Sequence, residues 1–291
     1  MSDVFTKAVE FVFEALNARQ RTGSTLKVEF AALEPLLKGR TEKPVPVPAP
    51  PVSVKPPSPM GGAETVTSRL LEFPTLPSEV DDGGLQRRLA ALKVAVSGCV
   101  QCPNLVATRV QVVFGEGNPA AELMFVGESP GPEEEAEGRC LAGADGELFD
   151  KMLLAMGLSR AQVFLTTVLK CRPDVPAGSV RARQPSVQEL GRCLPYLAAQ
   201  IALVKPKVIV ALGAGAVRGL FGATQTVSAL RSRWHDLQGI PVMPTFHPNY
   251  LILNGGIGEK RKVWEDLLQV LERLEHPITQ KQRNYFLRSA Q

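Results

Sequence analysis

The sequence predicts an α/β protein: a three-layer α/β/α domain around a central four-stranded parallel sheet, with a small helical N-terminal extension. Three observations carry this reading. Four short apolar runs, LMFVG, VFLTTVLK, VIVALG and IPVMPTF, recur beyond residue 120. Each is followed by a stretch of helical periodicity, the pattern of strands buried on both faces by crossover helices. A proline-dense stretch separates all of this from the start of the chain.

In chain order, residues 1–40 form the helical extension. Phe5, Val9, Val12 and Leu16 recur at helical spacing, and FAALEPLLKG reads as a second short helix ending at Gly39. So short a unit buries little core, so it is expected to dock, on an unidentified protein partner or on the main domain. Residues 41–84 are a linker whose TEKPVPVPAPPVSVKPPSPM lacks backbone donors and stays extended. Residues 85–291 hold the α/β domain. There LMFVG leads into DGELFDKMLLAMG, VFLTTVLK into SVQELGRCLPYLAAQIALV, VIVALG into AGAVRGLFG, and IPVMPTF into EKRKVWEDLLQVLERL. Periodicity alone does not separate a buried strand from a helix of that length. The Gly and Pro boundaries and the β-branched content favour strands. In such a sheet, ligand chemistry belongs at the carboxyl ends of the strands.

Composition excludes several classes. At 44% hydrophobic and 21% charged over 291 residues, the chain is ordinary for a soluble globular protein. No apolar run approaches the length of a membrane span, so no membrane partner is expected. The opening MSDVFTKAVEFVFEALNARQ has early acids and no cleavage-site pattern, so it is not a secretory signal. Five cysteines, an odd count in a large chain, argue against a disulfide scaffold and place the protein in a reducing cytoplasm. A net charge of +4 is compatible with nucleic-acid contact without establishing it. A monomer is the default expectation.

Two strand ends carry chemistry-bearing residues. The first run opens into GESPGPEEEAEG, which sets Glu128 at the strand terminus between Gly127 and the Ser129-Pro130-Gly131 turn. Glu133, Glu134 and Glu135 read as the solvated acidic start of a helix. The last run ends in PTFHPNYL, placing His247, one of three histidines, at the same sheet edge. A glutamate and a histidine meeting there supply a base and an electrophile. VIVALGAGAVRG imitates a dinucleotide site, but its spacing misses that fingerprint and no lysine completes a P-loop. It reads as a glycine-rich turn for close packing.

The pair in CVQCPNL, Cys99 and Cys102, joins Cys171 in LKCRPD and Cys193 in GRCLPYL, leaving Cys140 over. Four thiols hold either a tetrahedral zinc ion or a [4Fe-4S] cluster, and spacing does not choose between them.

The ordered set C-x2-C, F-V-G-E-x-P-G, K-C-R-P, a further cysteine before P-Y-L, and H-P-x-x-L resembles the family 4 uracil-DNA glycosylases over about residues 90–275. The resemblance implies the uracil-DNA glycosylase fold and a [4Fe-4S] cluster on Cys99, Cys102, Cys171 and Cys193. It implies hydrolysis of the N-glycosidic bond of uracil in DNA, by a monofunctional enzyme of base excision repair. On it, Glu128 places water and stabilises a cationic sugar, and His247 donates to the departing base. Gly127, Ser129, Pro130, Leu141, Thr167 and Asn249 line the base pocket, and Leu251 wedges into the base stack. Arg172, Arg181, Arg183, Lys260 and Arg261 are candidate phosphate contacts.

The chain departs from the family pattern at three pocket positions. Leu141, preceded by Cys140, stands where the family has a stacking aromatic. Thr167 stands where an asparagine reads the uracil edge, and Asn249 replaces a serine. The segment between Cys171 and Cys193 is also somewhat longer than usual. Two further readings therefore stay open: a relative with altered base preference, or a catalytically weak protein that binds DNA or recruits partners.

Overall fold

The computed structural model describes residues 82–176 and 182–286. The extension expected over 1–40, nearly all of the linker over 41–84, and Arg181 lie outside them. Helices α1 (Asp82–Ser97) and α2 (Pro103–Thr108) lead into a sheet of β1 (Glu116–Gly117), β2 (Leu123–Gly127), β3 (Phe164–Thr167), β4 (Val208–Leu212), β5 (His235–Leu237) and β6 (Ile240–Thr245). Between and after the strands come α3 (Pro132–Glu137), α4 (Gly143–Met156), α5 (Val187–Val204), α6 (Gly213–Phe221), α7 (Val227–Leu230), α8 (Pro248–Asn254), α9 (Ile257–Arg273) and α10 (Gln280–Arg283).

The strand order is β1-β3-β2-β4-β6-β5. The four central strands are parallel, as expected, while β1 and β5 add short antiparallel edges that raise the count to six. Those edges escape a hydrophobicity reading because they are two and three residues long and partly polar. Between β5 and β6, Gln238 and Gly239 both take positive φ, 53° and 90°. That is the geometry a two-residue hairpin turn requires.

Each central strand feeds two cores. Met124, Val126, Ile209 and Ala211 pack beneath Leu197, Ile201, Val217 and Leu220 of α5 and α6. Leu123, Phe125, Val208 and Val210 pack against Phe149 and Leu153 of α4 and Val263 and Leu267 of α9. This alternation makes three layers out of continuous apolar runs. Phe125 and Phe149 meet edge to face at 4.9 Å, and removing either ring would cost about 3–5 kcal/mol.

Register then fixes where the site lies. Gly127 pairs with Thr167, and Leu212 with Thr245, so the four parallel strands end nearly level. The chain leaves β2 toward β3 on one side and leaves β4 toward β6 on the other. The crevice between β2 and β4 is the switch point where such sheets bind ligands.

Candidate active site

Glu128 follows β2 directly and faces that crevice. Its carboxylate lies over the first turn of α6, where a β-carbon added to Gly215 would stand 1.9 Å from Cδ. Arg218, one turn further along α6, donates to Glu128 Oε1.

His247 enters the same turn from the other side: a β-carbon on Gly213 would lie 3.2 Å from His247 Cβ. His247 caps α8, and its Nδ1 accepts the Asn249 backbone N–H at 3.1 Å. An accepting Nδ1 leaves the proton of a neutral ring on Nε2. Burial lowers the His247 pKa, partly opposed by the Asp145 carboxylate. Asp145 Oδ2 lies 3.8 Å from Nδ1, and its other oxygen accepts from Asn249 Nδ2 at 3.3 Å. The glycine-rich segment that imitates a nucleotide motif is thus the floor on which both candidate catalytic residues rest. Its glycines mattered for close approach, as expected, but of side chains as well as backbone.

Beside His247 a small cleft is lined by Gly127, Ser129, Cys140, Leu141, Thr167 and Glu134. It is small, with room for about one water. Two of the expected pocket residues do not line it: Pro130 is buried beside Ser129, and Asn249 is exposed and donates to Asp145. Leu141 holds φ at +51°, unusual for a side chain that is not glycine. Glu134 steadies it by accepting the Leu141 N–H at 2.6 Å, and also takes the Gly131 N–H. Arg160 donates to the Cys140 and Leu141 carbonyls at 2.9 and 2.7 Å. Burial raises the Glu134 pKa and pushes the Cys140 thiol up to about 12. Thr167 Oγ1 donates to the Leu169 carbonyl at 2.9 Å, so lone pairs are what its hydroxyl offers the cleft.

Several expectations need correction. Glu134 is a wall of the cleft, and Glu135 is 2% exposed and paired with Arg172 at 2.7 Å, so of the three acids only Glu133 has the exposure of a solvated face. Leu251 is 3% exposed and belongs to the core, because α8 turns that face onto α4. It therefore offers no surface for a wedge; Ile252 and Leu253, 45% and 60% exposed, are the apolar side chains this helix presents to solvent. Among the candidate phosphate contacts, Arg172, Arg183 and Arg261 are engaged with carboxylates, while Lys260 is exposed.

The four paired cysteines gather on the other side of β3. Cys102 caps α2, Cys193 lies on α5, and all are free thiols, with Cys99 the most exposed. Burial raises the Cys171 and Cys193 pKa values, Cys193 to about 11, and each thiol senses Cys99. Two N–H donors already point at sulfur: Arg109 Nη1 to Cys171 at 3.4 Å, and the Lys170 backbone to Cys193 at 3.3 Å. Such donors suit thiolate ligands, so this donor set fits a metal-thiolate group. Among the described residues, no three His, Cys, Asp or Glu side chains already stand at the spacing of a bound ion. The buried Lys170 ammonium donates to Thr166 Oγ1, the Thr167 carbonyl and Gln200, reaching from the cysteines to the cleft. Burial lowers its pKa to about 8.

Comparison with known proteins identifies the family. The model of the uracil DNA glycosylase superfamily matches residues 114–268. A type-4 uracil-DNA glycosylase of Thermotoga maritima is 39% identical over 175 residues, 59% of this chain and 87% of the relative. One from Sulfurisphaera tokodaii is 36% identical over 208 residues, covering 68% and 90%. A type-5 enzyme of Pyrobaculum aerophilum is 27% identical over 208 residues, covering 60% and 87%. The family match spans more than half of the chain and takes in the whole parallel sheet, and the chain belongs to the uracil DNA glycosylase superfamily.

Proposed function

We propose that the protein is a monofunctional uracil-DNA glycosylase of base excision repair. The observation that carries this is the meeting of Glu128 and His247 on one glycine turn at the switch point, beside a narrow cleft of mixed apolar and polar lining. The deoxyuridine leaves the stack and its base enters the cleft. The C1′–N1 bond then breaks, leaving positive charge on the sugar and negative charge on the base. Glu128, as an anion, faces the sugar and orients the water that adds to C1′, whose proton passes through the carboxylate to solvent. His247 donates from Nε2 to the base oxygen on which charge collects, a contact worth about 10²–10³ in rate in comparable sites. The products are free uracil and an abasic site.

Cys99, Cys102, Cys171 and Cys193 would hold a [4Fe-4S] cluster, with Arg109 and the Lys170 N–H donating to its thiolates. Such a cluster, when bound, braces α1, α2, β3 and α5 around the cleft rather than taking part in bond breaking. DNA is the partner. The extension over 1–40 is read as a module tethered by the linker over 41–84, for an unidentified protein. No helix among the described residues is long and apolar enough to cross a membrane.

A second reading, altered base preference, is favoured by Thr167 and Leu141. A hydroxyl whose proton is committed to Leu169 accepts from a base N–H but does not also donate to a base carbonyl. Leu141 gives contact without a flat stacking face. The test is uracil release from a deoxyuridine oligonucleotide, read as alkali-labile cleavage, by enzyme purified without oxygen. Glu128→Gln and His247→Ala should each abolish release with DNA affinity kept. Intact uracil with the wild-type enzyme would move the assignment to another base.

A further inference from the structure

Arg218 has no place in the chemistry so far, yet it touches the residue on which that chemistry depends. Its Nη2 donates to Glu128 Oε1, and its Nη1 donates to Gln184 Oε1 at 2.8 Å. Its Nε–H is buried and has no partner among the described residues. Arg218 and Glu128 are each 30% exposed, so the pair is neither sealed in the core nor a free surface bridge. Gln184 belongs to the long segment between Cys171 and Cys193, where Arg183 is anchored to Asp174 and Glu189.

This geometry answers a problem that Gly215 creates. With no side chain beneath it, the Glu128 carboxylate has room but nothing in the floor to hold it. A glutamate with three free torsions sweeps through many orientations, few of them productive. One guanidinium contact at Oε1 selects an orientation and leaves Oε2 without a partner among the described residues. Gln184 in turn fixes the guanidinium. The cost is partial neutralisation of the carboxylate, which solvent screening at this exposure keeps small.

We propose that Arg218 is a positioning residue for Glu128: it orients the carboxylate through Oε1, leaves Oε2 to the water and the sugar, and is itself held by Gln184. This rests on the reading of Glu128 as catalytic. A phosphate-binding role would act on DNA affinity, whereas positioning acts on the rate of the bound complex.

The experiment compares wild type, Arg218→Ala, Arg218→Lys, Gln184→Ala and Glu128→Gln, each as cluster-loaded full chain with its melting temperature recorded. Single-turnover uracil release is measured at saturating enzyme. Affinity is measured separately on an oligonucleotide carrying a 2′-fluoro-deoxyuridine that resists cleavage. Arg218→Ala should slow release about 10- to 100-fold with affinity held within about 3-fold. Arg218→Lys should recover part of the rate, and Gln184→Ala should lose roughly 2- to 5-fold. The proposal is overturned if Arg218→Ala releases uracil at the wild-type rate or faster, or if its loss appears in affinity alone. If Arg218→Ala melts early, the same judgement falls on Arg218→Lys and Gln184→Ala: both matching wild type in rate would overturn it. An active wild type with an inert Glu128→Gln keeps the functional reading whatever Arg218 does. A fully active Glu128→Gln overturns both.

Discussion

The carboxylate of Glu128 lies against Gly215, with both of its oxygens 2.3 Å from where a β-carbon would be. Gly215→Ala should therefore displace the carboxylate and not the fold. The obstructing atoms are the end of a flexible side chain, and alanine in a helix is preferred over glycine by up to about 1 kcal/mol. Uracil release should fall at least 10-fold, in line with a displaced reacting group, while the melting temperature holds or rises. A variant of full activity would show that Glu128 works from another rotamer.

The Thr167 hydroxyl donates to the Leu169 carbonyl, so Thr167→Asn supplies both a donor and an acceptor at the base edge. Release of uracil should rise several-fold, as expected for one added hydrogen bond. Thr167→Val should lower it by a similar factor. Comparing kcat/KM on deoxyuridine for the three enzymes checks both directions, and an unresponsive pair would place the uracil edge elsewhere.

His247 makes a pH prediction. Burial lowers its folded pKa below the ordinary value of 6.5, so the unfolded chain takes the proton first as pH falls. The stability that the neutral ring contributes is thus whole above about pH 6.5 and is lost as pH drops through the lowered folded value. Protonation at Nδ1 would also end the cap on Asn249. Melting curves from pH 7.5 to 5 should show wild type losing stability faster than His247→Gln. Parallel curves would count against a half-buried neutral imidazole.

Glu189 carries the opposite kind of group, a carboxylate held at about 2, chiefly by Arg183 and also by Asn104 and Ser186, against the cost of burial. Its stabilisation is present above the ordinary value of 4.5 and disappears between there and about 2. Glu189→Gln should cost roughly 2–3 kcal/mol at neutral pH and flatten the acid limb of stability. Asn104 stands two residues past Cys102, so the same variant should shed the absorbance of the proposed iron–sulfur cluster sooner on exposure to air. A wild-type rate of bleaching would separate Glu189 from the cysteine bracket.

The parallel sheet was legible because its strands are buried on both faces and most of them, such as VIVAL, are apolar runs, although β3 buries Thr166 and Thr167 as well. The edge strands were not, since EG and HDL have no pattern long enough to register. Glu128 and His247 stood out as functional residue types at strand ends. Glu134 and Arg218 did not, because a charge in a charged run and a charge on a helix look like solvated surface until the neighbouring loop is placed. A hint did exist for Arg218, which lies three residues from Gly215 and so shares its helix face. Leu251 shows the reverse failure: an apolar residue beside the site was taken for a probe, but the rotation of α8 makes it core.

The cleft beside His247 has room for about one water, so it is too small for a pyrimidine as it stands. A base that arrives must also part Leu141 from its neighbours, and that work adds to the work of leaving the helix. The two barriers are climbed together, and a nucleotide already loose in its duplex starts higher. Deoxyuridine opposite guanine, or in a single strand, should therefore be processed ahead of deoxyuridine paired with adenine. A closed pocket in this way ranks lesions by how weakly DNA holds them, before any atom of the base is read.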